Sequence, residues 1–274
     1  MTIEELKKQI ESTTQLESIA QAFEQSAALY IFKTKNKILQ SQKFFEQAWK
    51  TYGIVKHLSY EKKAINKRRL IAIITPNQGM YGSLMLRLIE KAEELLKNQG
   101  SDLMVIGKKG KSHFSQNQSR SINFFLLPDE IDFQHISPIV DSMSKYGHIS
   151  LVYPKYLSVF EQSVSVATIG DEDQKDSDKN HRQDIEVQRY SFDPGQLAIT
   201  EYFSRAIFGV IIFGYFSESM LAYKAAQMIA MKKAYDNTKK QLEEERFQYS
   251  RLRRELIDSH MRELVAARMM WEGS

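Results

Sequence analysis

The first 75 residues contain no proline and a single glycine, Gly53, and beyond Gly195 the chain again lacks proline and has only three glycines. All five prolines fall in between. Proline breaks a helix interior by removing a backbone donor and clashing with the preceding turn, and glycine weakens it. Both flanks are therefore free to run as very long helices around a mixed middle segment. Such a chain is predicted to return along itself as an antiparallel helix pair, which brings its two ends together away from a compact domain.

With 274 residues, 42% hydrophobic and 26% charged, the chain has enough apolar material for a folded core. It has no cysteine, which excludes disulfides, thiolate catalysis and cysteine-bound metals and fits a reducing compartment. Residues 1–25 carry Glu4, Glu5, Glu11, Glu17 and Glu24 and lack the apolar run of a signal peptide, so a cytosolic setting is expected. The most apolar stretch, Tyr202 to Phe216, is shorter than the ~20 residues that cross a bilayer and contains Arg205; it reads as a buried helix face. The net charge of +4 is spread over separate clusters, such as Lys33, Lys35 and Lys37 or Arg251, Arg253 and Arg254, as solvated faces are.

From Ile3 to about Leu58 apolar residues recur at helical spacing, among them Leu6, Ile10, Leu16, Ile19, Phe23, Ala27 and Tyr30. Between Gln196 and Trp271 a second pattern runs through Met228, Met231, Tyr235, Thr238, Leu242, Tyr249, Leu252 and Leu256 in steps of three and four, interrupted at Glu245. That is a heptad seam, and seventy-odd residues at 1.5 Å each would extend roughly 110 Å. Polar Thr13, Thr238 and Ser259 stand where a self-sufficient coil would carry leucine or isoleucine. An enclosing partner and ordinary irregularity both account for them.

The middle segment opens on Arg69 to Thr75, a β-branched apolar run of the kind covered on both faces of a sheet. A turn at Pro76 to Gly79, a helical stripe from Ser83 to Asn98 and a second buried strand at Asp102 to Gly107 complete a βαβ unit. Ser121 to Leu126 reads as a third strand, Asp132 to Lys145 as a helix, and Ile149 to Tyr153 with Ser158 to Thr168 as a hairpin. Gly170 to Asp184 is charged and without aliphatic or aromatic residues, hence an exposed loop, and Ile185 to Tyr190 adds a possible edge strand. The predicted divisions are a helix over 1–58, an α/β domain over 68–192 and a helix over 196–274.

Catalytic patterns are absent or broken. Gly110-Lys111-Ser112 copies the end of a phosphate-binding loop, but Val105 occupies the position of its leading glycine, so the segment reads as a basic surface turn. Gly79 to Gly82 is too short for a dinucleotide fingerprint. The six histidines show no metal-binding spacing and no nucleophile elbow occurs. No catalytic residue, cofactor or metal is expected.

Met228-Ile-Ala-Met-Lys-Lys-Ala-Tyr-Asp-Asn237 resembles the "RM.AMKNATDNA" signature of the gamma subunit of F-type ATP synthases, the rotating central stalk. Thr200 to Gly209 with Ser217-Glu218 is similar to that family's "EY..R..FG......SE" run, and Gln248 to Ile257 to its "QYNRARQAAI". Thr75 to Gly82 resembles "SDRGLCG", Val105 to Gly110 resembles "VIGKKG", and Ile19 to Ala28 is weakly similar to "ITKAMEMVSAA". The departures are Leu29-Tyr30 where the family has lysine, Phe23 for a methionine, Gln227 for the arginine of "RM.AM", Arg254 for glutamine and Asp258 for threonine. Arg254 and Asp258 are spaced to pair on one helix face.

The resemblance implies an α/β fold with a long antiparallel coiled coil: N- and C-terminal helices paired, with a small Rossmann-like α/β domain between them. It implies a shaft inside a ring of alternating alpha and beta subunits, with an epsilon-like subunit and a membrane rotor ring below, at the cytoplasmic face of the cell membrane. Rotation would couple to the catalytic sites, which belong to the beta subunits. Matched positions and helical phase nominate Ile19, Ala22, Phe23 and Ala27 with Met228, Met231, Lys232, Asp236 and Asn237 as partner contacts at one level. Arg253, Arg254 and Asp258 are nominated at the tip. The alternatives are a rotor of a specialised F-type-like ATPase not coupled to protons, and a coiled-coil scaffold or nucleic-acid-binding protein; the rotor reading expects no nucleic acid.

Overall fold

A computed structural model describes the backbone of residues 2–58, 66–97, 100–115, 122–129, 131–170 and 196–272, and their side chains except in 36–68 and 196–204. The chain packs as two units, Ala28–Gln227 and Met1–Ala27 with Met228–Ser274. Helices α1 (Ile3–Leu58) and α5 (Gln196–Glu272) each contribute to both. The charged loop and the edge strand expected between Gly170 and Tyr190 fall outside the described residues beyond Gly170 itself.

In the larger unit the strands are β1 (Asn66–Ile74), β2 (Ser101–Ile106), β3 (Ile122–Phe125), β4 (Tyr146–Tyr156) and β5 (Gln162–Gly170), in the spatial order β3-β2-β1-β4-β5. β1 pairs in parallel with β2 and with β4, β2 in parallel with β3, and β4 and β5 form an antiparallel hairpin. The central position of β1 explains its unbroken apolar run: Leu70, Ile71, Ala72, Ile73 and Ile74 are all buried. Helix α2 (Leu84–Leu96) buries Leu84, Leu88, Ile89, Ala92 and Leu96, and α4 (Phe133–Met143) buries Ile136, Ile139, Val140 and Met143. Asp132 caps α4, its carboxylate accepting from the His135 amide at 2.8 Å.

Gly110-Lys111-Ser112, expected as a surface turn, lies within a seven-residue helix, α3 (Lys108–Phe114). Its glycines are set by Thr75. The Thr75 hydroxyl donates to the Ile106 carbonyl at 2.7 Å and accepts from the Gly110 amide at 3.1 Å. Gly107 has φ +106°, and a Cβ there would lie 1.9 Å from the Thr75 carbonyl oxygen. The amides of Gly107 and Lys109 donate to the carbonyls of Phe125 and Pro76, and that of Lys108 to the Asn77 side chain. The amides that a phosphate loop would aim at its ligand are thus spent on the protein itself.

The apolar stretch at the start of α5 lies in the core: Phe208, Ile211, Ile212 and Phe216 are buried. By length and composition α5 could cross a bilayer, yet 61% of its apolar window is buried in the protein. Further along, the Tyr223 hydroxyl donates to the Ile74 carbonyl at 2.7 Å, Phe213 stacks on Phe133 at 4.5 Å, and Tyr215 tilts against Tyr153 at 4.8 Å. Glu218 lies beside these tyrosines, and burial pushes its carboxyl up, against the opposing pull of Lys155 and the Tyr156 amide. Burial also raises the Tyr153 and Tyr215 phenols, with the Glu218 charge adding to both.

Candidate functional site

The smaller unit is built from the beginning of α1 and the end of α5. Thr2 and Glu5 close α1 with a reciprocal capping box: the Thr2 amide donates to Glu5 Oε2 at 2.7 Å, and the Glu5 amide donates to Thr2 Oγ1 at 3.2 Å. The bond from the Thr2 amide holds the exposed Glu5 carboxyl below the usual carboxylate range. Beyond the cap, the buried side chains that α1 contributes to this unit are Leu6, Thr13, Ala20 and Ala27. They recur every seven residues, which keeps one stripe facing a partner helix over several turns.

On α5 the buried positions of this unit are Met231, Leu242 and Glu245. Glu245 Oε1 accepts from Gln9 Nε2 at 2.9 Å, Thr13 Oγ1 at 3.1 Å and Gln241 Nε2 at 2.8 Å, whereas buried Oε2 has no partner. Nearer the start of α1, Ile3 shares a groove with Arg253, Leu256, Ile257, His260 and Met261 of α5. Low numbers on one helix meet high numbers on the other, so the two segments run antiparallel. The interruption of the heptad pattern at Glu245 is a seam position after all, and Thr13 is the residue that meets it.

The nominated contact residues divide by exposure. Ile19 is 51% exposed. Ala22, Lys232, Asp236 and Asn237 are also exposed, Phe23 and Met228 are half-buried, and Ala27 and Met231 are buried. Lys232 pairs with Asp236 at 3.4 Å and lies over the Tyr235 ring. At the tip Arg253, Arg254 and Asp258 are exposed, but the expected Arg254–Asp258 pair does not form. Arg251 instead donates to Glu255 at 3.1 Å, and Arg262 donates to the Asp258 carbonyl. Exposed pairs one turn apart gain little over solvation, so spacing alone does not decide between neighbouring candidates.

Residues 260–271 are all exposed and include Met261, Leu264, Val265, Met269, Met270 and Trp271, the last at 88%. Leu16 and Phe247 add exposed apolar surface off the buried stripes. Phe247 is the contact candidate that the sequence reading missed; its signal is a large aromatic at a position outside the seam. Apolar surface of this extent marks a face that another molecule covers.

A family profile described as ATP synthase matches residues 2–268. The chain is 22% identical to the ATP synthase gamma chain of Bdellovibrio bacteriovorus over 99% of both proteins, and 24% identical to that of Christiangramia forsetii over 96% of both. Its fold is similar to that of a chain in the Euglena gracilis mitochondrial ATP synthase, solved by cryo-EM as an assembly of OSCP, F1 and c-ring, with a TM-score of 0.72, 17% identity and coverage of 97% of this chain and 93% of that one. With the signature runs in order along the sequence and the family match extending over residues 2–268, the chain belongs to the ATP synthase family, as a divergent gamma chain.

Proposed function

We propose that the chain is the central-stalk rotor subunit of an F-type ATP synthase or ATPase. The observation that carries this reading is the helix pair whose seam is closed by its own residues while a second set of apolar side chains, from Leu16 and Ile19 to Trp271, faces outward. A sleeve of alpha and beta subunits around the pair would cover that surface. Because the pair is asymmetric, each beta subunit would meet a different face, so that turning the shaft favours a different conformation at each catalytic site in succession. The chain supplies no catalytic group in this scheme; the active sites are those of the beta subunits.

The remaining assignments follow from the same reading. Ile19, Ala22, Lys232, Asp236, Asn237, Arg253, Arg254 and Asp258 touch the ring directly, and Phe23 and Met228 do so in part. Ala27 and Met231 act by setting the spacing of the helices. Helix 1–58, domain 68–192 and helix 196–274 are the working parts, with the domain toward an epsilon-like subunit and a membrane ring, and the complex is peripheral at the cytoplasmic face of the membrane. Affinity purification of the tagged chain under mild detergent tests this. Recovery of alpha, beta and epsilon subunits with the ring is expected; ATPase-like subunits without a ring would make it a repurposed motor, and recovery of neither would overturn the rotor reading.

A further inference from the structure

The buried stripe of α1 repeats with a period of seven, and so does the facing row of α5 that holds Met231, Thr238, Glu245 and Leu252. Two heptad surfaces that pair in one alignment also pair, in their apolar contacts, after sliding by one heptad; a mainly apolar seam does not choose among these alignments. Thr13 is the polar member of the α1 stripe, and Glu245 is buried on α5 and bonded to it. We infer that Glu245, with Thr13, Gln9 and Gln241, is a register lock that fixes the axial alignment of the two helices.

The alternatives fail at this carboxylate. Sliding one heptad in one direction places Ala20 and Leu16 where Thr13 and Gln9 now donate. Neither has a donor. Sliding the other way brings Leu6, which has none, and Thr2, whose hydroxyl sits on Cβ, two carbons short of the reach of the Gln9 amide, and is engaged by the Glu5 amide in the helix cap. In each case a buried carboxyl group keeps one side-chain donor, Gln241 on its own helix, in place of three. Oε2 has no donor even in the native alignment, so the group gives up stability that leucine at this position would supply, as buried polar groups that select one alignment do. Alignment decides which exposed side chains of α1 stand beside which of α5, and thereby composes the outer surface.

The chain has no cysteine, so spin labels can be placed at will. Labels on cysteines at exposed Glu11 and Glu263, in the full-length chain within its purified complex, report the alignment as a distance measured by pulsed electron resonance. Parent protein is expected to give one distance. Glu245→Leu is expected to add a second population displaced by about 10 Å, one heptad of helical rise. The double change Leu6→Thr with Thr13→Leu moves the donor by one heptad and is expected to move the main population by the same amount. An unshifted single distance in both variants would overturn the lock and leave alignment to the remainder of the fold.

Discussion

Thr75 shows how one side chain can dictate the residues around it. Its hydroxyl and carbonyl occupy the space into which side chains at 107 and 110 would grow, with a Cβ at Gly110 lying 2.6 Å from Thr75 Oγ1. Gly107→Ala combines that clash with a left-handed φ and is expected to lower stability by about 3 kcal/mol, read as a fall in the denaturant midpoint with unchanged slope. Glu218 offers a titration. Burial raises its carboxyl in the folded state, so its contribution is fully present below the unfolded value of 4.5 and is lost as pH rises through the folded one. Glu218→Gln, which keeps an acceptor for the Tyr156 amide, is expected to melt above the parent at pH 7 and level with it below about pH 4. Equal melting temperatures across that range would show that Lys155 offsets the burial.

At the scale of elements, Leu242→Pro removes a backbone bond and introduces a clash inside α5, next to the Glu245 cluster; a cost of ~3 kcal/mol or more is expected. The assembled complex should lose rotor-coupled ATP hydrolysis, and wild-type rates with this change would show that an intact helix at 242 is dispensable. The long helices and the strands were legible in the sequence because each repeats its pattern over many residues: Leu70 to Ile74 without a polar break, Leu84, Leu88 and Ala92 on one stripe. Helix α3 was not, since it has two inward residues, Gly110 and Phe114, one turn apart, and no third turn to establish a period. The Glu245 cluster was equally hidden. Its partners on α1 lie 236 and 232 residues away, and a local pattern registers only a missing leucine. The Arg254–Asp258 pair failed for the opposite reason: the spacing was right, but Arg251 and Glu255 have the same spacing.

For the molecule as a whole, apolar exposure is the dominant unsolved demand of the chain by itself. Phe32 and Phe160 in the larger unit are exposed by 83% and 84%, and the helix pair adds Phe247, Met270 and Trp271. Expression of this chain alone is expected to give aggregates, and co-expression with its alpha and beta partners soluble complex, with sedimentation as the measurement. A monodisperse, stable monomer would mean that the exposed surface needs no cover. Residues 228–272 of α5 contain neither glycine nor proline, and sharp kinks in helices form at such residues or at inserted bulges. When torque or a side load reaches this stretch there is no joint to yield, so the deformation spreads over many hydrogen bonds as smooth curvature. The material consequence is compliance: such a rod returns the work done on it elastically, as a spring does.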